Sequence, residues 1–457
     1  MASHEKLRQL GLFEARAPRY TSYPPANHFS DDIGPATVAG WMGAIKPGTP
    51  ISLYVHIPYC RRLCWFCACR TQGTSTDRPL VPYLALLKQE LTEVGRHLHP
   101  DVRIGQVHLG GGTPTLLNPE MIADLGQTLR NFREWTDDAT FSVEIDPTEV
   151  DQARIDALAA AGMTRASIGV QDFDTVVQEA IGRLQSFEQT RDVVAMLRAA
   201  GVSSVNMDIL YGLPHQTRER MADSVQRVLS LSPDRVALYG YAHVPWMAKR
   251  QVLIPGDALP DAEARLELFD TARELFLWDG YTEIGIDHYA RPTDSMAKAL
   301  ENGTLRRNFQ GYTDDPFDVL IGIGASAISR YPQGYAQNIS ASAKYASAVD
   351  SGSLATERGH TMTADDQLRA DMIEGLMCQF SIDLDQLSKK HGIPVSQLMA
   401  MTEGMRERFR AQIRLDGNKI ALVEEARLIA RLAAQEVDAY SRSEERRVGK
   451  ECTSWCR

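Results

Sequence analysis

Residues 54–69 read YVHIPYCRRLCWFCAC. The opening YVHIP is β-branched and apolar enough to be a strand, and the loop that leaves it carries Cys60, Cys64 and Cys67 in a Cys-x3-Cys-x2-Cys spacing. Iron-sulfur clusters take thiolate ligands and a cubane has four irons, so three cysteines leave one iron open. A small molecule can chelate that iron and receive an electron at close range. The alternative is a closed zinc site with Cys69 as fourth ligand, but x3, x2 and x1 spacing is cramped for a site whose cysteines usually come in two separated pairs. Cys69 then reads as a pocket residue or a spare thiol beside the cluster.

Working outward, the strand at 51–58 is the first of several β-rich runs, followed by 106–111, 141–146, 165–170, 204–211, 235–242 and 281–286. Between them lie amphipathic stretches suited to helices, at 79–97, 119–132, 152–161, 186–200, 218–231 and 261–279. Such alternation predicts βα units and a parallel sheet. Polar and glycine-rich residues sit at the C-terminal end of nearly every strand, where a barrel places its active site. This favours a ring over the single crevice of a doubly wound sheet. The expected fold is therefore α/β: a partial (β/α) barrel with a smaller, mostly helical C-terminal domain.

The expected organisation is an N-terminal arm at 1–48, the barrel at 49–350 and a winged-helix-like helical domain at 351–442. In that last domain Asp416-Gly417 between alternating runs reads as a hairpin. A DNA-binding role does not follow, since residues 381–440 hold nine Lys/Arg against nine Asp/Glu. The tail at 443–457, SEERRVGKECTSWCR from 443, breaks the pattern and is set aside as non-native or disordered. Cys452 and Cys456 in it read as incidental, and Cys378 as a packed small hydrophobe.

The chain has 457 residues, 44% of them hydrophobic, and a formal net charge of −10. An acidic balance argues against broad binding to nucleic acid or anionic membrane, so an anionic substrate must meet local arginines. There is no apolar run of about 20 residues and no secretory leader, so a soluble, cytoplasmic protein is expected. Four of the seven cysteines crowd together, which in a reducing compartment means metal or redox chemistry.

The other strand ends add ligand-like groups. GGGTPT, Gly110 to Thr115, lets backbone amides approach a ligand closely. Glu144 closes the third strand, Gln171 follows the fourth and Asp208 lies in the fifth.

HIPYCRRLCWFCAC, with Phe66 just before the third cysteine, resembles the cluster loop of the radical S-adenosylmethionine superfamily. Further stretches resemble the oxygen-independent coproporphyrinogen III oxidases in particular: PRYTSYPPA (18–26), GGGTPT, SIGVQDF (167–173), DILYGLPHQT (208–217), YAHVP (241–245), DHYARP (287–292), RRNFQGYT (306–313) and GASAIS (324–329). The resemblance implies a 4Fe-4S cluster on Cys60, Cys64 and Cys67 and two S-adenosylmethionine molecules. Tyr54, Gly111, Glu144 and Ile328 correspond to contacts of the molecule on the cluster. Phe66, Gly112, Thr113, Gln171, Arg183, Asp208 and Ala242 correspond to contacts of the second. The catalytic set it implies is Cys60, Cys64, Cys67, Tyr54 and Glu144.

The implied reaction is oxidative decarboxylation of two propionates of coproporphyrinogen III to vinyl groups, giving protoporphyrinogen IX through a 5′-deoxyadenosyl radical. The implied protein is a monomer drawing electrons from an unidentified reductant. Arg19, Arg306 and Arg307 lie inside the matching motifs and are candidates for the substrate carboxylates. A haem-binding chaperone that shares the cluster motif is the rival from another class, and a tetrapyrrole-methylating or ring-opening radical enzyme is a second. The arm at 18–26 is expected to help close the site.

Overall fold

The computed structural model describes residues 4–12 and 17–441. The tail beginning at Ser443, with Cys452 and Cys456, lies outside the described residues.

Six strands lie where the alternation puts them: β1 (Pro50–Ile57), β2 (Arg103–Gly111), β3 (Trp135–Ile145), β4 (Arg165–Gln171), β5 (Ser204–Tyr211) and β6 (Arg235–Gly240). They pair in sequence order, each parallel to the next. The connecting helices include Pro119–Phe132, Gln152–Ala161, Phe187–Ala199, Arg218–Ser230 and Ala262–Trp278. Each starts where a side chain accepts an otherwise orphaned backbone N–H: Asn118, Asp151, Ser186, Thr217 and Asp261. Ser186 and Gln189 form a reciprocal capping box.

The run at 281–286 departs from expectation. Its strand β7 (Thr282–Ile284) is not the next parallel strand but the outer half of an antiparallel pair with β8 (His288–Ala290), which itself runs antiparallel to β6. Three residues connect β7 to β8, with Gly285 at φ +59° making the turn, whereas a parallel crossover needs a dozen or more. Next in the chain come a short hairpin, β9 (Arg306–Asn308) and β10 (Gly311–Thr313), and then β11 (Leu320–Ile323). β11 pairs parallel with β1 and is the seventh parallel strand. Beyond it, β12 (Ile328–Tyr331), β13 (Gly334–Asn338) and β14 (Thr356–Thr361) extend the sheet antiparallel.

The sheet thus has twelve strands in the open order β14-β13-β12-β11-β1-β2-β3-β4-β5-β6-β8-β7. Residues from all seven parallel strands line one cavity, which a flat sheet cannot arrange. The sheet is therefore curled into an incomplete barrel. Near the C-terminus, helices such as Ala364–Gln379 and Ala430–Val437 accompany β15 (Ser381–Asp383), β16 (Ile413–Asp416) and β17 (Lys419–Leu422). β16 and β17 form the hairpin expected at Asp416-Gly417, with Gly417 at φ +59°. Cys378 is buried, as expected of a small hydrophobe. One core cluster joins the barrel strands to these helices, running from Leu7 to Val437. Among the described residues, no helix is long and apolar enough to cross a membrane.

Candidate active site

The exit of β1 and the exit of β2 are stitched together: Gly112 N–H donates to Ile57 O at 2.7 Å and Thr113 N–H to Tyr59 O at 2.8 Å. A Cβ on Gly112 would lie 2.6 Å from Tyr59 O and 3.0 Å from Cys60 Sγ, so glycine is required for this approach. The cysteine loop is pinned from several sides. Trp65 N–H donates to Ile181 O, Thr74 N–H to Cys60 O, and Gln251 Nε2 to Phe66 O. Arg183, buried at the cavity wall, lies 3.2 Å from Asp146 Oδ2 and 3.5 Å from Cys64 Sγ, and donates Nη2 to Gly169 O.

Cys60, Cys64, Cys67 and Cys69 are all outside disulfides and all line the cavity, whose volume is about 490 Å³. Burial pushes the Cys60 thiol up to about 11, and the hydrogen bond with Cys69, reinforced by burial, raises Cys67. Such thiols ionise only when a cation compensates, which is the chemistry of a metal-thiolate site. Among the described residues, no group of three or more His, Cys, Asp or Glu converges as the ligands of one metal ion would. A cubane takes one thiolate per iron, and the three motif thiols lining one cavity beside a glycine turn supply the donor type it needs.

Glu144 and Tyr54 stand next to that wall. Glu144 Oε2 accepts from Gly111 N–H at 2.9 Å and Oε1 lies 3.2 Å from His108 Nε2. Burial raises its pKa, but the bonds and charge of His108 and the Gly111 N–H more than reverse this, leaving it below the usual carboxylate range. Tyr54 OH is 2.9 Å from His56 Nδ1, and its ring stacks on His108 at 5.7 Å. Farther round, burial lifts Asp208 to about 6, although Asn206 and Ser167 both donate to it. Gln171 takes φ +69° at a register shift between β4 and β5, which re-aims its side chain into the cavity.

All fourteen candidates read from the sequence line this single cavity: Tyr54, Cys60, Cys64, Phe66, Cys67, Gly111, Gly112, Thr113, Glu144, Gln171, Arg183, Asp208, Ala242 and Ile328. Of the three candidate substrate arginines, Arg19 and Arg307 also line it. Arg306 does not. It points to the other face of its strand, where it pairs with Asp318 at 3.0 Å and donates to Pro316 O.

Sequence reading missed two groups. Arg165 and Arg235 share Asp314, with Arg235 also bound to Asp294, forming a buried network on the cavity floor. Asp287, His288 and Tyr239 form a chain at β6 and β8: His288 Nδ1 lies 2.6 Å from Asp287 Oδ1, and its Nε2 lies 3.3 Å from Tyr239 OH. DHYARP marked the second group as a motif, but nothing in its spacing showed that it faces the cavity.

Residues 54–228 match the family model of the Radical SAM superfamily. The oxygen-independent coproporphyrinogen III oxidase of Paracoccus denitrificans is 52% identical over 440 residues, 96% of this chain and 98% of that protein. The chain belongs to the oxygen-independent coproporphyrinogen III oxidase family. A protein of the same name from Cereibacter sphaeroides is 50% identical over 97% of this chain and 98% of its own length. The solved structure of coproporphyrinogen III oxidase from Escherichia coli, described as a radical SAM enzyme, matches with a TM-score of 0.89 at 36% identity, covering 92% of this chain and 97% of that one. Family membership implies a 4Fe-4S cluster and S-adenosylmethionine as cofactors of this chain. It also favours the oxidase over the haem-binding chaperone.

Proposed function

We propose that this chain performs the oxygen-independent oxidative decarboxylation of two propionates of coproporphyrinogen III, giving protoporphyrinogen IX. The observation that carries this reading is the meeting in one cavity of three motif thiols, Gly111 and Gly112 of the glycine turn and two arginines, Arg19 and Arg307.

Cys60, Cys64 and Cys67 would hold the cluster. When bound, the cluster and S-adenosylmethionine supply a 5′-deoxyadenosyl radical able to abstract a hydrogen atom from a propionate side chain. The chain's own residues bind, orient and exclude water. Gly111 and Gly112 let the turn close on His56, Tyr59 and Cys60, Glu144 offers an ionised carboxylate to an ammonium, and Tyr54 is held between His56 and His108. Gln171, Arg183, Asp208 and Ala242 fit a second S-adenosylmethionine, since polar side chains and a carbonyl from four consecutive segments face the same space. Hydrogen abstraction requires water and stray donors to be kept out. The arm supports this: Arg19 and Thr21 line the cavity while Tyr20 OH donates to the buried Asp438 at 3.0 Å. A soluble monomer in the cytoplasm, served by an external reductant and without nucleic-acid or membrane partners, fits the acidic charge of −10.

The test is anaerobic reconstitution with iron and sulfide, then addition of reductant, S-adenosylmethionine and coproporphyrinogen III, with mass detection of the product. Loss of two carbon dioxide units is expected. A reconstituted protein that cleaves S-adenosylmethionine but returns the tetrapyrrole unchanged would refute the assignment, and a product with an added methyl group would replace it with a methylating enzyme.

A further inference from the structure

The cations around the cavity differ in how far the protein has already satisfied them. Arg165 and Arg235 are held by Asp314 and Asp294, and Arg183 by Asp146 at 3.2 Å, although the Nε of Arg183 is also buried without a hydrogen-bond partner among the described residues. Arg307 differs. It is only 7% exposed, it lines the cavity, and its Nη1 is buried without a hydrogen-bond partner among the described residues. Its Nε donates to Arg19 O at 3.2 Å, its guanidinium lies over the Tyr312 ring at 4.3 Å, and Asp287 Oδ2 is 3.9 Å from Nη2, beyond hydrogen-bond range. Asp287 is in any case engaged by His288. A buried guanidinium with an unused donor is costly unless an anion completes it. The same bond that positions Arg307 draws in the arm, whose Arg19 side chain lines the same end of the cavity and donates to Gly240 O at 2.9 Å.

On the reading of the preceding subsection, we propose that Arg307 and Arg19 form a carboxylate subsite that anchors the tetrapyrrole by a propionate retained in the product. Two arguments favour a retained carboxylate. The hairpin carrying Arg307 packs on β6 and β8 on one side and reaches Tyr335 of β13 through Phe309 on the other, while the thiol loop leaves β1, five strands from β6 in the sheet order. In addition, releasing neutral carbon dioxide from this pair would leave the Nη1 donor of Arg307 buried without an acceptor again, so decarboxylation is disfavoured at the anchor itself.

Porphyrin fluorescence titrations of the reconstituted protein test this, using coproporphyrin III, protoporphyrin IX, which has only the two retained propionates, and coproporphyrin III tetramethyl ester. Arg307→Met, Arg307→Lys and Arg19→Ala are compared with the wild-type chain. Arg307→Met is expected to weaken both free acids by roughly 10-fold or more, the scale of a charge-assisted bond, and to leave the ester unaffected. Lysine, which cannot bind bidentately, should restore only part of that loss. Unchanged affinity for both acids overturns the subsite, and a loss confined to coproporphyrin III overturns the assignment to a retained propionate. Should Arg307→Met not fold, Arg307→Lys and Arg19→Ala carry the test, with a several-fold weakening of both acids expected and no change overturning the proposal. If the wild-type chain converts coproporphyrinogen III while the variants keep full affinity, the subsite alone fails. If the wild-type chain neither binds the acids nor turns over, the functional reading fails with it.

Discussion

The backbone N–H of Gly111 donates to Glu144 Oε2 at 2.9 Å, which joins the glycine turn ending β2 to the carboxylate near the end of β3. The turn also closes on the thiol loop through Gly112, so the motif thiols and a carboxylate, drawn from three strands, share one hydrogen-bonded unit.

That unit separates two substitutions. Gly112→Ala places a methyl group 2.6 Å from Tyr59 O, a backbone atom that cannot step aside, and is expected to cut the iron bound after reconstitution by more than half. Glu144→Gln keeps the size and removes the charge, so iron should be retained while S-adenosylmethionine affinity falls by roughly 10-fold. Iron analysis and equilibrium dialysis check the pair.

Asp314 lies between Arg165 and Arg235. Burial raises its pKa, but the bond from Arg165 and the two positive charges overcome this and hold it far below the usual carboxylate range. Its stabilisation is therefore present above the ordinary carboxylate pKa and is lost as pH falls towards the folded value. Asp314→Asn is expected to cost about 3 kcal/mol at pH 7, by taking from Arg165 its carboxylate and leaving buried Arg235 with that of Asp294 alone. In thermal unfolding, the gap from wild type should narrow in strongly acidic buffer.

Glu90 behaves in the opposite sense. Burial lifts it to about 7, only partly offset by Tyr345, Gly324 and Asn338, which donate to it at 2.6, 2.7 and 2.6 Å. Between the ordinary carboxylate pKa and about 7 the folded chain keeps a proton that the unfolded chain releases, so stability falls as pH rises through that window. Glu90→Gln should flatten this slope, worth about 3 kcal/mol across the window. Unfolding temperatures from pH 4.5 to 8 decide it, and equal slopes in both proteins would contradict the expectation.

Tyr20→Phe removes the hydrogen bond that latches the arm to Asp438. A bond of about 1 kcal/mol corresponds to roughly fivefold more frequent opening, so limited proteolysis within the arm should accelerate by about that factor. Cleavage at the wild-type rate would show that the latch is not what holds the arm.

Strands β1 to β6 and the helices between them follow from local pattern alone, because period-two and 3.6-residue repeats are properties of neighbouring residues. The site was legible for the same reason. In a parallel sheet every strand delivers its C-terminal end to the same side, so residues such as Glu144 and Asp208 could be assigned to one locale before any contact was known.

What the sequence determined by itself, then, was the repeating unit and the chemistry at each strand end. Tertiary structure alone decided the closing pairs. LIGI at 320–323 is too short to announce its partner, and its pairing with β1 bridges some 270 residues that no local pattern connects. Arg306 and Arg307 adjoin in sequence, yet successive side chains of a strand face opposite ways. Which of them meets the cavity depends on how the hairpin docks against β6 and β8, a matter of long-range packing rather than of residue type.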